Sequence, residues 1–79
     1  MARIYLTRQD EGRNMARFYA MSLQETLFAE CSLVREWGRI GQGGQVRRDT
    51  FATAQEAQQA FDQLQQAKIK RGYRVNYAA

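Results

Sequence analysis

The alternation of apolar and polar residues predicts two β-strands in the first third of the chain. In residues 2–8, Ile4 and Leu6 alternate with charged or amphipathic neighbours, which is the pattern of a half-buried strand. A polar stretch at residues 9–14 predicts a turn or short loop. Residues 16–24 resume the alternation and predict the second strand.

Two further strands are predicted on either side of a glycine-rich turn. The third begins at residue 31 or 32 and ends at Ile40, and the fourth covers residues 45–51. Residues 41–44 include three glycines, which allow the positive φ angles of a tight hairpin turn. A phosphate cradle is the alternative, but the spacing matches neither nucleotide-loop motif, so we favour the hairpin. For residues 25–30 the sequence allows two predictions, a hairpin connection or an extension of a strand.

A helix is predicted after the fourth strand. Thr53 and Glu56 have capping-box spacing, in which the Thr53 hydroxyl accepts from an early helix amide and Glu56 returns to the N–H of Thr53. The apolar stripe consists of Ala57, Ala60, Phe61, Leu64 and Ala67, with Lys68 as a further candidate. Gly72 ends the helix. Because one stripe covers one surface, we predict an α+β fold, with one C-terminal helix packed across one face of a small antiparallel sheet of four strands.

The residues after the helix leave two arrangements open. Residues 71–75 exit the helix, and Tyr73 and Val75 either return to the sheet as a short fifth strand or pack under the helix end.

The only tryptophan lies on a strand face that also carries arginines. Strand alternation puts Leu33, Arg35, Trp37 and Arg39 on one face of the third strand. A ring between two guanidiniums suits a flat partner edged with phosphate, since the ring can stack and the arginines donate in forks. The alternative is that Trp37 is a core residue with solvated neighbours. Because burying two guanidiniums is costly unless both are paired, we expect Trp37 to be at least partly exposed.

Charge is unevenly distributed along the 79 residues, which have room for one domain. The net charge is +4, and eight arginines balance eight acids in residues 1–62. The excess therefore lies in Lys68, Lys70, Arg71 and Arg74. A basic cluster at a helix end either offsets the helix dipole or contacts nucleic acid, and a pI near 9.7 permits the second reading without requiring it. Arg47 and Arg48 add further charge to the hairpin that carries Trp37.

Catalytic and metal chemistry has little support in the sequence. The chain has no histidine and one cysteine, so the common metal sets and histidine-based nucleophile systems are missing. Cys31 has no evident activating partner, and we interpret it as a structural residue rather than a reactive thiol. We therefore expect no catalytic residue, no metal and no cofactor. No apolar run is long enough to span a bilayer and no signal peptide is evident, so we expect a cytoplasmic protein.

Several blocks around the tryptophan resemble the WGR domain family, named for its tripeptide. Residues 37–41 carry the signature itself. Residues 14–19, 33–36, 44–47 and 70–73 are similar, in the same order, to blocks that recur in small stand-alone bacterial members. The resemblance covers most of residues 3–75 and indicates a single WGR domain over residues 1–79.

The resemblance implies a compact antiparallel sheet with a helix across it and a role in nucleic-acid binding. In the DNA-dependent poly(ADP-ribose) polymerases, the motif tryptophan packs against the sugar-base end of a strand at a DNA break and the motif arginine lies near the terminal phosphate. Those roles would fall on Trp37 and Arg39. Asn14 matches, less closely, a polar residue near the 5′ phosphate. The zinc, regulatory and transferase domains of those enzymes are missing from this chain, so no catalytic activity is carried over.

We therefore predict a non-enzymatic, monomeric DNA-binding module that prefers ends, nicks or single-stranded junctions. The candidate DNA-binding residues are Trp37, Gly38, Arg39, Arg35, Asn14, Arg47, Lys68, Lys70 and Arg71. A protein-interaction module is one alternative, because tryptophan and arginine often anchor protein interfaces. RNA binding is another, since stacking and phosphate contacts serve both nucleic acids.

Overall fold

The computed structural model describes residues 2–79 as a five-stranded antiparallel sheet covered on one face by a helix. The elements are β1 (Arg3–Asp10), a short 3₁₀ turn (Glu11–Arg13), β2 (Met15–Glu25), β3 (Cys31–Arg39), β4 (Gln45–Phe51), α1 (Ala54–Lys70) and β5 (Arg74–Ala78). The strand order is β4-β3-β2-β1-β5, and every neighbouring pair is antiparallel. The predicted α+β class is confirmed, and the short fifth strand forms at the edge beside β1.

The open question at residues 25–30 is resolved as a hairpin connection. β2 includes Glu25, and the chain then turns through residues 26–30, closed by a hydrogen bond of 2.9 Å from the Thr26 N–H to the Glu30 carbonyl. Leu27 and Phe28, which form the tip of this hairpin, are 98% and 82% exposed. The apolar pair therefore takes no part in the core.

The core lies between the sheet and α1. The buried apolar residues of this layer are Ile4, Leu6, Tyr19, Met21, Leu23, Cys31, Leu33, Ala57 and Phe61. Ala60 and Leu64 pack against them, so most of the predicted stripe is confirmed. Ala67 is exposed, which corrects its assignment to the stripe, and Lys68 faces the sheet instead. At Ala67 and Lys68 the helix extends beyond the aliphatic part of the core. The long aliphatic stem of Lys68 therefore packs towards the aromatic rings of Tyr19 and Tyr73 on the sheet side of α1.

Side-chain and backbone caps fix both ends of α1. Thr53 is the N-cap, and its hydroxyl accepts a hydrogen bond of 3.2 Å from the Glu56 N–H, as predicted. The same hydroxyl donates to the Glu56 carboxylate at 3.3 Å, so the return contact reaches the Thr53 side chain rather than the backbone N–H predicted for it. At the other end Gly72 has φ of 98°, and its N–H and that of Tyr73 donate to the carbonyls of Ile69 and Lys68.

The glycine-rich turn between β3 and β4 has two glycines with distinct roles. Gly41 has φ of 86°, which a glycine adopts without strain. Gly44 lies against the backbone carbonyl of Trp37 and the ring of Phe18, with no room for a Cβ. The turn thus closes the hairpin, as predicted, and also covers Phe18 on the face of the sheet opposite α1.

Candidate nucleic-acid interface

A cleft of about 510 Å³ lies at one end of the sheet, beside the C-terminus of α1. β1 ends there, β2 begins there and β3 ends there. Its cationic lining residues are Arg8, Arg13, Arg17, Arg39, Lys68 and Arg71. Trp37 and Tyr73 add aromatic rings, and none of the described residues that line the cleft is acidic. The lining of the cleft is therefore strongly cationic.

Three of these arginines form a row across neighbouring strands, which we call the arginine row. Arg8 of β1 pairs with Arg17 of β2, and Arg17 pairs with Arg39 of β3. Like charges placed directly opposite each other on a sheet are destabilising. The ion pairs found in residues 2–79 involve Arg13, Arg35 and Arg47, none of which belongs to the row. Nearby carboxylates therefore do not offset this repulsion.

Arg39 is oriented by the turn that precedes β2. Its guanidinium donates to the backbone carbonyl of Asn14 at 3.1 Å and to the Asn14 side-chain oxygen at 3.3 Å. Asn14 adopts a left-handed conformation with φ of 51°, which asparagine tolerates better than most residues. Both acceptors are neutral, so Arg39 keeps its net charge while its direction is fixed.

The aromatic part of the cleft is anchored in the core. Trp37 is half-buried and packs against the core cluster, so the expectation of partial exposure is confirmed. Its ring stacks on that of buried Tyr19, with centroids 6.0 Å apart and an interplanar angle of 22°. Tyr73 meets Tyr19 edge-on at 6.4 Å. The guanidinium carbon of Arg35 also lies 5.8 Å from the Trp37 ring centroid, so protein contacts from both Tyr19 and Arg35 hold the ring.

Lys68 joins these rings to the basic lining. Its ammonium nitrogen lies 4.4 Å from the ring centroid of Tyr19 and 5.6 Å from that of Tyr73, within the range of cation–π contacts. Partial burial, followed by the nearby charges of Arg71 and Arg35, lowers the pKa of Lys68 from its ordinary value. An anion in the cleft would reverse this effect, because it favours the charged ammonium.

Backbone N–H groups cap several carbonyls at the end of α1. The last carbonyls of a helix carry partial negative charge and would repel a phosphate. Here the carbonyls of Ala67, Lys68 and Ile69 accept from the N–H groups of residues 71–73. The same closure brings Tyr73 beneath Lys68. Basic side chains, rather than open carbonyls, therefore face the cleft.

Six of the nine residues predicted to bind DNA lie in this cleft: Asn14, Trp37, Gly38, Arg39, Lys68 and Arg71. The other three lie elsewhere. Arg35 donates to the Tyr19 hydroxyl and pairs with Asp49 at 3.2 Å, and Arg47 pairs with the same carboxylate at 3.1 Å. Lys70 lies on the outer surface of α1.

Sequence reasoning missed half of the cationic lining, namely Arg8, Arg13 and Arg17, and it also missed the ring of Tyr73. Arg8 and Arg17 are isolated charges in the sequence, and only the register of β1, β2 and β3 aligns them with Arg39. One signal was available in the sequence. Arg8 lies two residues after Leu6 and Arg17 lies two residues before Tyr19, so strand alternation puts each arginine on the apolar face of its strand. Tyr73 was recognised as a packing residue, but its place depends on how the helix ends.

The structure defines a small α+β domain with a basic, aromatic-walled cleft where the sheet and helix end. The WGR domain family matches residues 2–79, and the chain belongs to this family. It is also 47% identical over 72 residues to the uncharacterised protein y4dW of Sinorhizobium fredii (strain NBRC 101917 / NGR234). That match covers 91% of this chain and 35% of the relative, so the chain spans about a third of the relative's length. No solved structure matches the chain.

Residues 2–79 contain neither a metal-binding cluster nor a membrane-spanning helix. These residues contain no group of three or more histidine, cysteine or acidic side chains arranged to hold a metal ion. None of their helices combines the length and apolar character needed to cross a bilayer. Cys31 is fully buried in the core, in keeping with its interpretation as a structural residue.

Proposed function

We propose that the chain is a non-enzymatic binding module that holds DNA in the cleft described above. The observation that carries this proposal is the lining of the cleft: six cationic side chains and three aromatic residues, with no acidic residue among those described. Phosphate contacts supply most of the affinity of a protein for DNA, and aromatic rings bind bases of any sequence. A basic cleft with aromatic walls provides both contributions at one place.

The size of the cleft favours strand ends, nicks and single-stranded segments over intact duplex. A volume of about 510 Å³ is that of a small-ligand pocket, far below what would enclose a double helix. In this proposal the solvent-accessible part of Trp37 packs against a terminal sugar or base, and Arg39 donates to the phosphate. Asn14 steadies Arg39. Gly38 keeps the backbone beside Trp37 free of a side chain.

Arg35, Arg47 and Lys70 have a weaker part in this proposal than the sequence suggested. Arg35 and Arg47 share Asp49, so their local charge is partly neutralised. Lys70 points away from the cleft. We assign these three residues to the general positive field that attracts a polyanion, which acts at longer range and is screened by salt.

A protein partner is the second candidate function, and one observation favours it. Leu27 and Phe28 are almost fully exposed at the hairpin tip, at the opposite end of the sheet from the cleft. Large exposed apolar side chains of this kind are typical of contact sites. A monomer that binds DNA at one end and protein at the other would agree with both features.

The proposal is tested with a panel of labelled nucleic acids at several salt concentrations. The panel comprises intact duplex, nicked duplex, blunt ends with and without a 5′ phosphate, single-stranded DNA and the matching RNA. We expect the affinity to fall steeply with salt and to be highest for ends, nicks or single strands, with a preference for the 5′ phosphate. Equal binding of RNA would widen the ligand class, and binding that is absent or insensitive to salt would contradict the proposal.

Matched variants locate the contact. Trp37→Ala should lose about 1–3 kcal/mol of binding, as for one stacked base. Arg39→Gln should lose more binding affinity for ligands that carry a 5′ phosphate than for ligands that lack one. Arg48→Gln is the control, because it removes the same charge from an exposed residue on the other face of the sheet, where it contacts Gln24. If Arg48→Gln weakened binding as much as Arg39→Gln, the cleft would not be the site.

A further inference from the structure

The arginine row provides more cationic groups than a single phosphate can use. Strands in a sheet lie about 4.8 Å apart, so the Cα atoms of Arg8 and Arg39 are separated by roughly 10 Å with Arg17 between them. One phosphate contacts one or two guanidiniums in fork geometry. The length of the row therefore points to a ligand with more than one phosphate.

The geometry points to a binding track for consecutive phosphates of one nucleic-acid strand, which crosses β1, β2 and β3 along the arginine row. This inference rests on the proposed function and extends it from a strand end to the backbone that follows. Along one strand of B-DNA the axial rise is about 3.4 Å per phosphate. A row of about 10 Å thus spans at least two phosphates, with Arg39 at one end and Arg8 at the other.

The surroundings of the row agree with this assignment. Arg17 and Arg39 are exposed, and Arg8 is half-buried beside the helix end, where a Cβ on Gly72 would lie 3.4 Å from its guanidinium Nε. Arg71 approaches from the helix side of the same cleft. A strand on the row would therefore meet cations from the sheet below and from α1 beside it, and it would relieve the repulsion within the row.

Short thymidine nucleotides test this inference, because they add phosphates one at a time without changing the base. The ligands are pdT, pdTpdT and pdTpdTpdT, with one, two and three phosphates. The dinucleotide dTpdT, which has no 5′ phosphate, carries one phosphate and two bases and so separates an added base from an added phosphate. Chemical-shift titration of the labelled protein reaches millimolar affinities and shows in the same spectra that each variant is folded. For the parent protein we expect the affinity to rise with each phosphate.

Three variants with the same charge change are compared with the parent protein: Arg8→Gln, Arg17→Gln and Arg48→Gln. Arg8→Gln and Arg17→Gln should bind pdTpdTpdT severalfold more weakly, with a salt slope lower by about one unit, and should lose much less against pdT. Arg48→Gln should behave like the parent protein with all ligands. Equal losses for pdT and pdTpdTpdT, or losses matched by Arg48→Gln, would overturn the track.

The same experiment separates this inference from the proposed function. If long single-stranded DNA binds and pdTpdTpdT does not, the row is not a track for consecutive phosphates, although the domain still binds DNA. If neither the short nucleotides nor long DNA binds, the proposed function itself fails.

Discussion

The ammonium of Lys68 lies 4.4 Å from the ring centroid of Tyr19, so a charged group sits on the edge of the aromatic core. Its burial and its basic neighbours lower the pKa of Lys68. A phosphate bound in the cleft would raise the pKa of Lys68 again, because the charged ammonium would then be paired. Lys68 therefore loses its charge at a lower pH than an ordinary lysine does.

We predict that DNA affinity begins to fall at a pH below the ordinary lysine range. As pH rises through the lowered pKa, Lys68 becomes neutral and one cation is lost from the cleft. Lys68→Arg is the matched variant, since arginine keeps its charge at these pH values. Affinity measured against pH should fall earlier for the parent protein than for Lys68→Arg, and coincident curves would contradict the assignment.

With rising pH, the free energy of unfolding should increase relative to Lys68→Arg, whereas the DNA affinity should decrease. Between the lowered pKa of the folded protein and the ordinary pKa of the unfolded chain, the unfolded chain holds a proton that the folded protein has released. The parent protein should therefore gain stability with rising pH over this window, relative to Lys68→Arg. Urea melts at several pH values measure the difference, and a relative loss would mean that Lys68 is not desolvated.

Neighbouring cations at the helix end should differ in their effect on binding. Arg71 lines the cleft and Lys70 lies on the outer surface of α1. Arg71→Gln should lower the salt slope of DNA binding by about one unit. Lys70→Gln removes the same charge one residue away and should leave the slope nearly unchanged. Equal slopes for the two variants would return both residues to a role in offsetting the helix dipole.

Packing of α1 on the sheet is tested by one buried and one exposed residue of the helix. Phe61 is 4% exposed, and Phe61→Ala should lower the free energy of unfolding by about 3–5 kcal/mol. Ile69 is 41% exposed, and Ile69→Ala should cost less than about 1 kcal/mol. Chemical denaturation of both variants provides the comparison. Similar costs would show that the helix does not use the predicted stripe.

Two adjacent glycines of the β3–β4 turn should respond differently to the same substitution. A Cβ on Gly44 would strike the carbonyl of Trp37 and approach the ring of Phe18 to 2.9 Å, whereas a Cβ on Gly43 meets nothing within 4 Å. Gly44→Ala should therefore cost about 1–3 kcal/mol of stability. Gly43→Ala should stay within about 0.5 kcal/mol of the parent protein. Tryptophan fluorescence should shift in Gly44→Ala alone, since the displaced carbonyl belongs to Trp37.

The sequence predicted the parts of the fold that depend on local patterns. Alternation around Trp37 assigned the faces of β3 correctly, and the Thr53 cap and the spacing of Phe61 and Leu64 located the helix. These features are set by residues close together in the chain. Ala67 was misassigned because spacing alone does not show where the sheet beneath a helix ends.

The remainder of the candidate site depends on contacts between distant residues. Alternation shows which face Arg35 and Arg39 share, but it does not show that Asp49 pairs with Arg35 and Arg47 and leaves Arg39 without a carboxylate. Nor does it show that Arg8, Arg17 and Arg39 meet, because register is fixed by pairing across the sheet. Three of the six cationic residues that line the cleft, Arg8, Arg13 and Arg17, were therefore not predicted from the sequence.

The cleft draws its walls from the two ends of the chain and from its middle. Arg8 belongs to the first strand, Trp37 to the third, and Arg71 and Tyr73 follow α1. A nascent or proteolysed fragment that lacks α1 would keep the signature tripeptide and yet lose a wall of the cleft. If the cleft binds DNA as proposed, binding would report complete folding, since only a chain that has closed its last turn presents the whole surface.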